Sequence, residues 1–254
     1  MFVERVQYGP GAGQYAEWSP VEAARGIIVV IHGGYWRSRY DLSLGRPLAH
    51  DLHRRGWATL NLEYRRIGSG GGAPETFDDI AAGIDLLGTL VPRHAGPIVA
   101  LGHSAGGHLA VWAAGRARHG WPEGVRLTHV VSQAGLLDLR AAHRDRLSGD
   151  AVAELFGSES GAVGEGSSEN GPTTDLVEAR FDPQQQVPLD IPVICLHAPD
   201  DDMVPMSQSV GYVRAASRAG AQADLVEVTG GHFDLIEPGS SAWSQVLGVL
   251  DSLS

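Results

Sequence analysis

The sequence contains no lysine: all 19 basic residues among its 254 are arginine. That absence removes Schiff-base catalysis, a Ser–Lys dyad and a Walker phosphate loop, since each needs the lysine amine. A single cysteine, Cys195, excludes an internal disulfide. It lies within the apolar run Ile191-Pro192-Val193-Ile194-Cys195-Leu196 and reads as a small core residue rather than a nucleophile. No apolar run approaches the roughly 18–20 residues of a membrane span, and the first residues lack the basic and apolar regions of a signal peptide. A cytoplasmic location is the expectation. Positive charge is scarce too. The formal net charge is −11 and no basic face is evident, which argues against nucleic acid and anionic membranes as partners.

What remains is a soluble globular composition, 43% hydrophobic and 19% charged. A chain of this length can build one α/β domain with a substantial core. Two alternating stretches, Phe2 to Tyr8 and Gln14 to Trp18, flank Gly9-Pro10-Gly11 and predict an antiparallel pair at a sheet edge. Ile27-Ile28-Val29-Val30-Ile31 is continuous and β-branched, as for a strand buried on both faces. Further strands are expected at Trp57–Tyr64, Pro97–Ala100, Thr128–Ala134, Ile191–His197 and Ala223–Val228. Helical spacing appears at about 43–55, 76–90, 108–114 and 242–253, with Thr76 the expected N-cap of the second. Strands alternating with helices predict a mostly parallel sheet covered on both faces. Residues 136–190 interrupt this rhythm and are expected to form a cap inserted in the single domain 1–254. Their Gly/Ser/Glu-rich part, about 157–174, is expected to be a flexible loop.

Four stretches carry chemistry. Leu101-Gly102-His103-Ser104-Ala105-Gly106-Gly107 joins a strand to a helix in the Gly-x-Ser-x-Gly pattern, where a tight turn presents the serine hydroxyl. A serine nucleophile needs a base, an orienting acid and oxyanion donors, and in this arrangement the chain order is Ser, acid, His. Asp200-Asp201-Asp202 follows one predicted strand and Gly230-Gly231-His232 follows the next. Loops at the carboxyl ends of parallel strands share one rim, so both can reach Ser104. Any of the three aspartates fits by position. His32-Gly33-Gly34-Tyr35 suits an oxyanion loop, with backbone N–H donors at Gly34, Tyr35 and Ala105, Gly33 shaping the turn and His32 in a structural role. Tyr35, Trp36 and His103 are expected to line the substrate pocket. The histidines form no His-Glu-x-x-His pattern, so no metal is expected. Gly68-Ser69-Gly70-Gly71-Gly72-Ala73 resembles a dinucleotide loop only formally, because Pro74 follows at once and no acid ends the next strand. No cofactor is expected.

With these residues in view the chain resembles the α/β-hydrolase superfamily over nearly its whole length. The pair His32-Gly33-Gly34-Tyr35-Trp36 and Gly102-His103-Ser104-Ala105-Gly106-Gly107 is similar to the kynurenine formamidase and small-esterase branch. The acid of that family commonly sits in His-Gly-x-x-Asp-x-x-Val-Pro, which matches His197 to Pro205 and selects Asp201; Ala198 stands where the family has glycine. The resemblance implies a serine hydrolase with a Ser104–Asp201–His232 triad, acting on a small acyl or formyl substrate. An arylformamidase of the N-formylkynurenine type is the leading expectation and a carboxylesterase on short-chain acyl esters the alternative. A peptidase and a non-catalytic small-molecule binder are the remaining readings, and a homodimer is compatible with all of them.

Overall fold

A computed structural model describes residues 2–157 and 176–253. The expected loop at 157–174 therefore lies, apart from Gly157, outside the described residues. Eight strands form one sheet in the order β1-β2-β4-β3-β5-β6-β7-β8. β1 (Glu4–Gln7) and β2 (Tyr15–Ser19) make the expected antiparallel hairpin, and β2 continues antiparallel onto β4 (Ala58–Leu62). From β4 onward every neighbour is parallel: β3 (Ile27–Ile31), β5 (Ile98–His103), β6 (His129–Gln133), β7 (Val193–His197) and β8 (Ala223–Glu227). This is the α/β-hydrolase fold.

The two-residue period of a strand divides β3 between two cores. Ile27, Val29 and Ile31 face a layer containing α2 (Glu75–Asp85), α4 (Ala105–Gly115) and α7 (Ser207–Arg218). Ile28 and Val30 face α1 (Arg46–Arg54) and α8 (Ser241–Asp251). A short α3 (Leu87–Leu90) follows α2, so the helical spacing read at 76–90 is two helices. Thr76 does not cap α2. Pro74 occupies the cap position, and the Thr76 hydroxyl donates to the Arg65 carbonyl at 2.7 Å and accepts from Gly72 N–H at 3.1 Å. The side chain is spent on closing the glycine-rich loop against β4.

In the interrupted region, α5 (Leu139–Arg144), α6 (Leu147–Leu155) and two single 3-10 turns at Ala179–Phe181 and Pro183–Gln185 pack over α2 and α4. Phe181 lies 4.5 Å from the Phe77 ring, and its carbonyl is held by His108 Nε2 at 2.8 Å. This outer layer explains why α4 is apolar all round: it is covered on both sides. Arg37, just beyond the expected oxyanion loop, is tied to α6 by a two-pronged pair with Glu154 at 2.7 and 2.8 Å.

The outer layer also holds a titratable weak point. Asp182 is buried, with one carboxyl oxygen accepting from Leu139 N–H at 3.1 Å and the other without a hydrogen-bond partner among the described residues. Burial pushes its carboxyl up to about 7. A raised acid favours folding while protonated. Its stabilisation is complete below the unfolded value of about 4 and is lost as pH rises to about 7, at roughly 1.4 kcal/mol per pH unit. Asp182→Asn, neutral at all pH, should therefore be more stable than wild type at pH 8, with the gap closing towards pH 4 in urea titrations. An equal gap at both pH values would refute the account.

Candidate active site

The site is built on a backbone that most residues avoid. β5 runs directly into Ser104, whose φ of 56° and ψ of −120° lie in a strained region for a residue with a Cβ. Its N–H donates to the Gln133 carbonyl at 2.8 Å and its carbonyl accepts from His108 N–H at 3.1 Å, so strand becomes helix without a linker. The turn closes only because neighbouring residues lack side chains. A Cβ on Gly102 would overlap the Gly106 carbonyl, and one on Gly106 would overlap the Ile31 carbonyl. One on Gly107 would come within 2.8 Å of Gly135 Cα. The hydroxyl-bearing residue is left nearly buried, at the base of a cleft lined by Gly34, Tyr35, Tyr40, Leu44, His103, Met203, His232 and Phe233.

The loop after β7 carries the candidate acid. Asp201 turns inward while Asp200 and Asp202 are exposed. Its Oδ1 accepts from Met203 N–H at 2.9 Å and Val204 N–H at 2.8 Å, and its Oδ2 lies 2.7 Å from His232 Nδ1 and 3.4 Å from His197 Nε2. Burial alone would raise this carboxyl, but the bonds from His197, His232 and Val204 overcome it and hold the group well below the usual carboxylate range. The loop after β8 carries the candidate base. Gly230 takes φ 109°, and Gly231 N–H donates to Asp234 Oδ2 at 2.6 Å, a clamp that presents the intervening His232. A carboxylate facing Nδ1 leaves the hydrogen on that nitrogen and Nε2 bare, the tautomer a general base requires.

The loop after β3 lies alongside. Gly34, Tyr35 and Trp36 take positive φ values of 111°, 50° and 57°. Gly33 passes so close to the elbow that a Cβ there would stand 2.7 Å from the His103 carbonyl and 3.0 Å from Ser104 Cβ. Among the described residues the N–H groups of Gly34 and Tyr35 have no hydrogen-bond partner. The N–H of Ala105 opens α4, where the first helical turn leaves its donors free. Behind the loop His32 bonds the Gly33 carbonyl at 2.8 Å and Glu63 at 3.1 Å, the structural role expected of it. Among the described residues no group of three or more His, Cys, Asp or Glu could hold a metal ion, and no helix is long and apolar enough to cross a membrane.

Comparison with known proteins supplies the family. The BD-FAE family model matches residues 19–215. The chain belongs to the BD-FAE family. This is an esterase family of the α/β-hydrolase kind, so the protein is an enzyme of that kind. A truncated carbohydrate esterase from gut microbiota superposes with TM-score 0.78 at 20% identity, over 100% of this chain and 96% of that one. A carboxylesterase from Lactobacillus plantarum WCFS1 gives 0.73 at 20% identity, over 100% and 99%. Esterase B from Lactobacillus rhamnosis, with a tributyrin phosphonate, gives 0.78 at 18% identity, over 99% and 84%. At such identities the likeness is one of fold. No curated sequence relative matches.

In this BD-FAE member the sequence-derived residues Ser104, His232, Gly34, Tyr35 and His103 line one cleft, and Asp201 stands behind His232. Trp36 does not join them. It is fully buried, donating through Nε1 to His108 Nδ1 at 3.2 Å and packing edge-on to that ring at 5.2 Å. An indole placed beneath the cleft needs an acceptor for its N–H, and α4 provides one. The described parts of 136–190 do not line the cleft either. Tyr40, Leu44, Met203 and Phe233 do, and sequence reading missed them. Met203 and Phe233 sit next to the acid and base, a signal that was available. Nothing local marks Tyr40 or Leu44.

If the inward-facing acid orients the base, Asp201→Asn should lower kcat by about 10⁴-fold while Asp200→Asn and Asp202→Asn stay near wild type. Ester hydrolysis followed at saturating substrate checks this, and a comparable loss in either neighbour would reassign the acid.

Proposed function

We propose that this protein is a serine carboxylesterase that cleaves short-chain acyl esters through an acyl-enzyme. The observation that carries the proposal is the 2.7 Å Asp201–His232 bond beside a Ser104 strained into the same cleft. Ser104 Oγ attacks the ester carbonyl as His232 Nε2 takes its proton, and Asp201 stabilises the resulting imidazolium. The N–H groups of Gly34, Tyr35 and Ala105, with Gly33 setting the close approach, receive the oxyanion. The tetrahedral intermediate expels the alcohol, which takes the proton back from His232. Water, activated by the same imidazole, then attacks the acyl-enzyme, releases the carboxylic acid and restores Ser104. Every proton taken is returned, and the cycle needs no cofactor.

Support for esters over formamides comes from the family and from structural neighbours that are esterases by name. The arylformamidase reading, which led at the level of sequence, is now the second choice. The chemistry of the two is the same up to the leaving group, so substrates must separate them. p-Nitrophenyl acetate should be turned over by wild type, and Ser104→Ala should lose at least about 10³-fold in kcat. Formate release from N-formylkynurenine outpacing every ester would restore the formamidase reading. A fluorophosphonate that fails to label Ser104 in folded protein would instead indicate a binder.

Leu44 and Tyr40 wall the cleft beside Ser104. A long acyl chain on Ser104 would run against these two side chains. Acetate esters should therefore exceed hexanoate esters in kcat/KM by about 10-fold or more, since each poorly housed methylene costs on the order of 1 kcal/mol or more. Leu44→Ala should narrow that ratio. A hexanoate preference in wild type would contradict this restriction.

A further inference from the structure

His103 has no step in the mechanism above, yet it touches three parts of it. It is the last residue of β5, directly before Ser104. Its Nε2 lies 2.9 Å from the carbonyl oxygen of His232, 129 residues away in the chain. A carbonyl only accepts, so Nε2 bears the hydrogen and Nδ1 is bare. The Nδ1 side faces the oxyanion loop, where a Cβ added to Gly33 would stand 3.2 Å from it. The rings of His103 and His232 are 4.5 Å apart and inclined by 51°, and Phe233 closes the outer side at 6.0 Å.

The topology makes such a tether useful. Two strands, β6 and β7, separate β5 from β8, so nucleophile and base hang from strands roughly 14 Å apart. The base loop must span that distance, and small changes in its path would move Nε2 of His232 relative to Ser104. Gln133, opposite His103 on β6, donates from Nε2 to the Leu235 carbonyl at 2.6 Å and fixes the far end of the same loop. His103 fixes it at the base itself. Burial first, and then the neighbouring His232, push His103 down to about 3; the other titratable groups facing it are Asp201 and His197. The ring is uncharged across the neutral range.

We propose that His103 is a positioning residue for the base: its Nε2–H ties the His232 backbone to the nucleophile's own strand. Its ring also fills the space beside the imidazole with a neutral group, where a cation would oppose the imidazolium formed in each transition state. The proposal rests on His232 being the base of the reaction proposed above.

The test combines nitrogen NMR of the wild-type imidazoles with kinetics of His103→Phe and His103→Gln. His103 should show the Nε2–H tautomer unchanged between about pH 4.5 and 9. His103→Phe, which keeps a ring but has no donor, should lose about 10²-fold in kcat on p-nitrophenyl acetate with KM nearly unchanged. His103→Gln, neutral and still a donor, should recover most of that loss at a similar Tm. Titration of His103 within the range, the opposite tautomer, or a His103→Phe with wild-type kcat would each overturn the proposal. If His103→Phe fails to fold, the spectra and the glutamine variant still decide it. If wild type shows no Ser104-dependent turnover, the esterase reading falls, and the nitrogen spectra alone judge the tether.

Discussion

The structure depends on one close approach, that of the first turn of α4 to the ends of β3 and β5. Gly102, Gly106 and Gly107 bring backbone against backbone there, with no room for a Cβ at any of the three. The contact holds Ser104 in its strained, positive-φ conformation. Strain in one residue is sustained by burial of an apolar helix on both faces, which stabilises the fold by far more than the strain costs. Gly33 approaches the His103 carbonyl and Ser104 Cβ just as closely, so the loop after β3 is packed directly against the Ser104 turn.

Around that contact the charges are arranged in short, satisfied chains. Asp201 is charged and shielded from solvent, and it tolerates this through two backbone donors and two histidines. His197, which also bonds Val204 O at 2.9 Å and Ser209 Oγ at 2.8 Å, fixes the acid loop to α7. Tyr35 donates from its hydroxyl to the Met203 carbonyl at 2.8 Å and joins the loop after β3 to the loop after β7. The three loops at the rim are therefore cross-linked to one another by polar contacts. That suits catalysis by preorganised dipoles, where the donors must already be aimed when charge develops.

The apolar rim has a different character. Met203 and Phe233 are among the few large hydrophobic side chains that are exposed, and both stand at the mouth of the cleft. The Met203 N–H donates to Asp201 Oδ1, so one bond holds both the rim residue and the carboxylate. The apolar rim and the polar contacts around Asp201 and His232 thus lie on the same short loops.

Much of this was legible in the sequence, for reasons that can be stated. Continuous β-branched runs marked the buried parallel strands, because a strand covered on both faces has no polar face to show. Ser104, His232 and the His32-Gly33-Gly34 turn were visible because steric demand restricts which residues can occupy such turns. Asp201 required a family pattern, since three adjacent aspartates look alike until one side chain is seen to turn inward. Trp36 was misplaced because burial beneath a cleft and exposure within it leave the same trace in a sequence. The missing N-cap at Thr76, the roles of Tyr40 and Leu44 and the tether from His103 to His232 were decided only by tertiary structure. Each depends on which group lies across space from a side chain, and contacts between residues so far apart in the chain leave no local pattern to read.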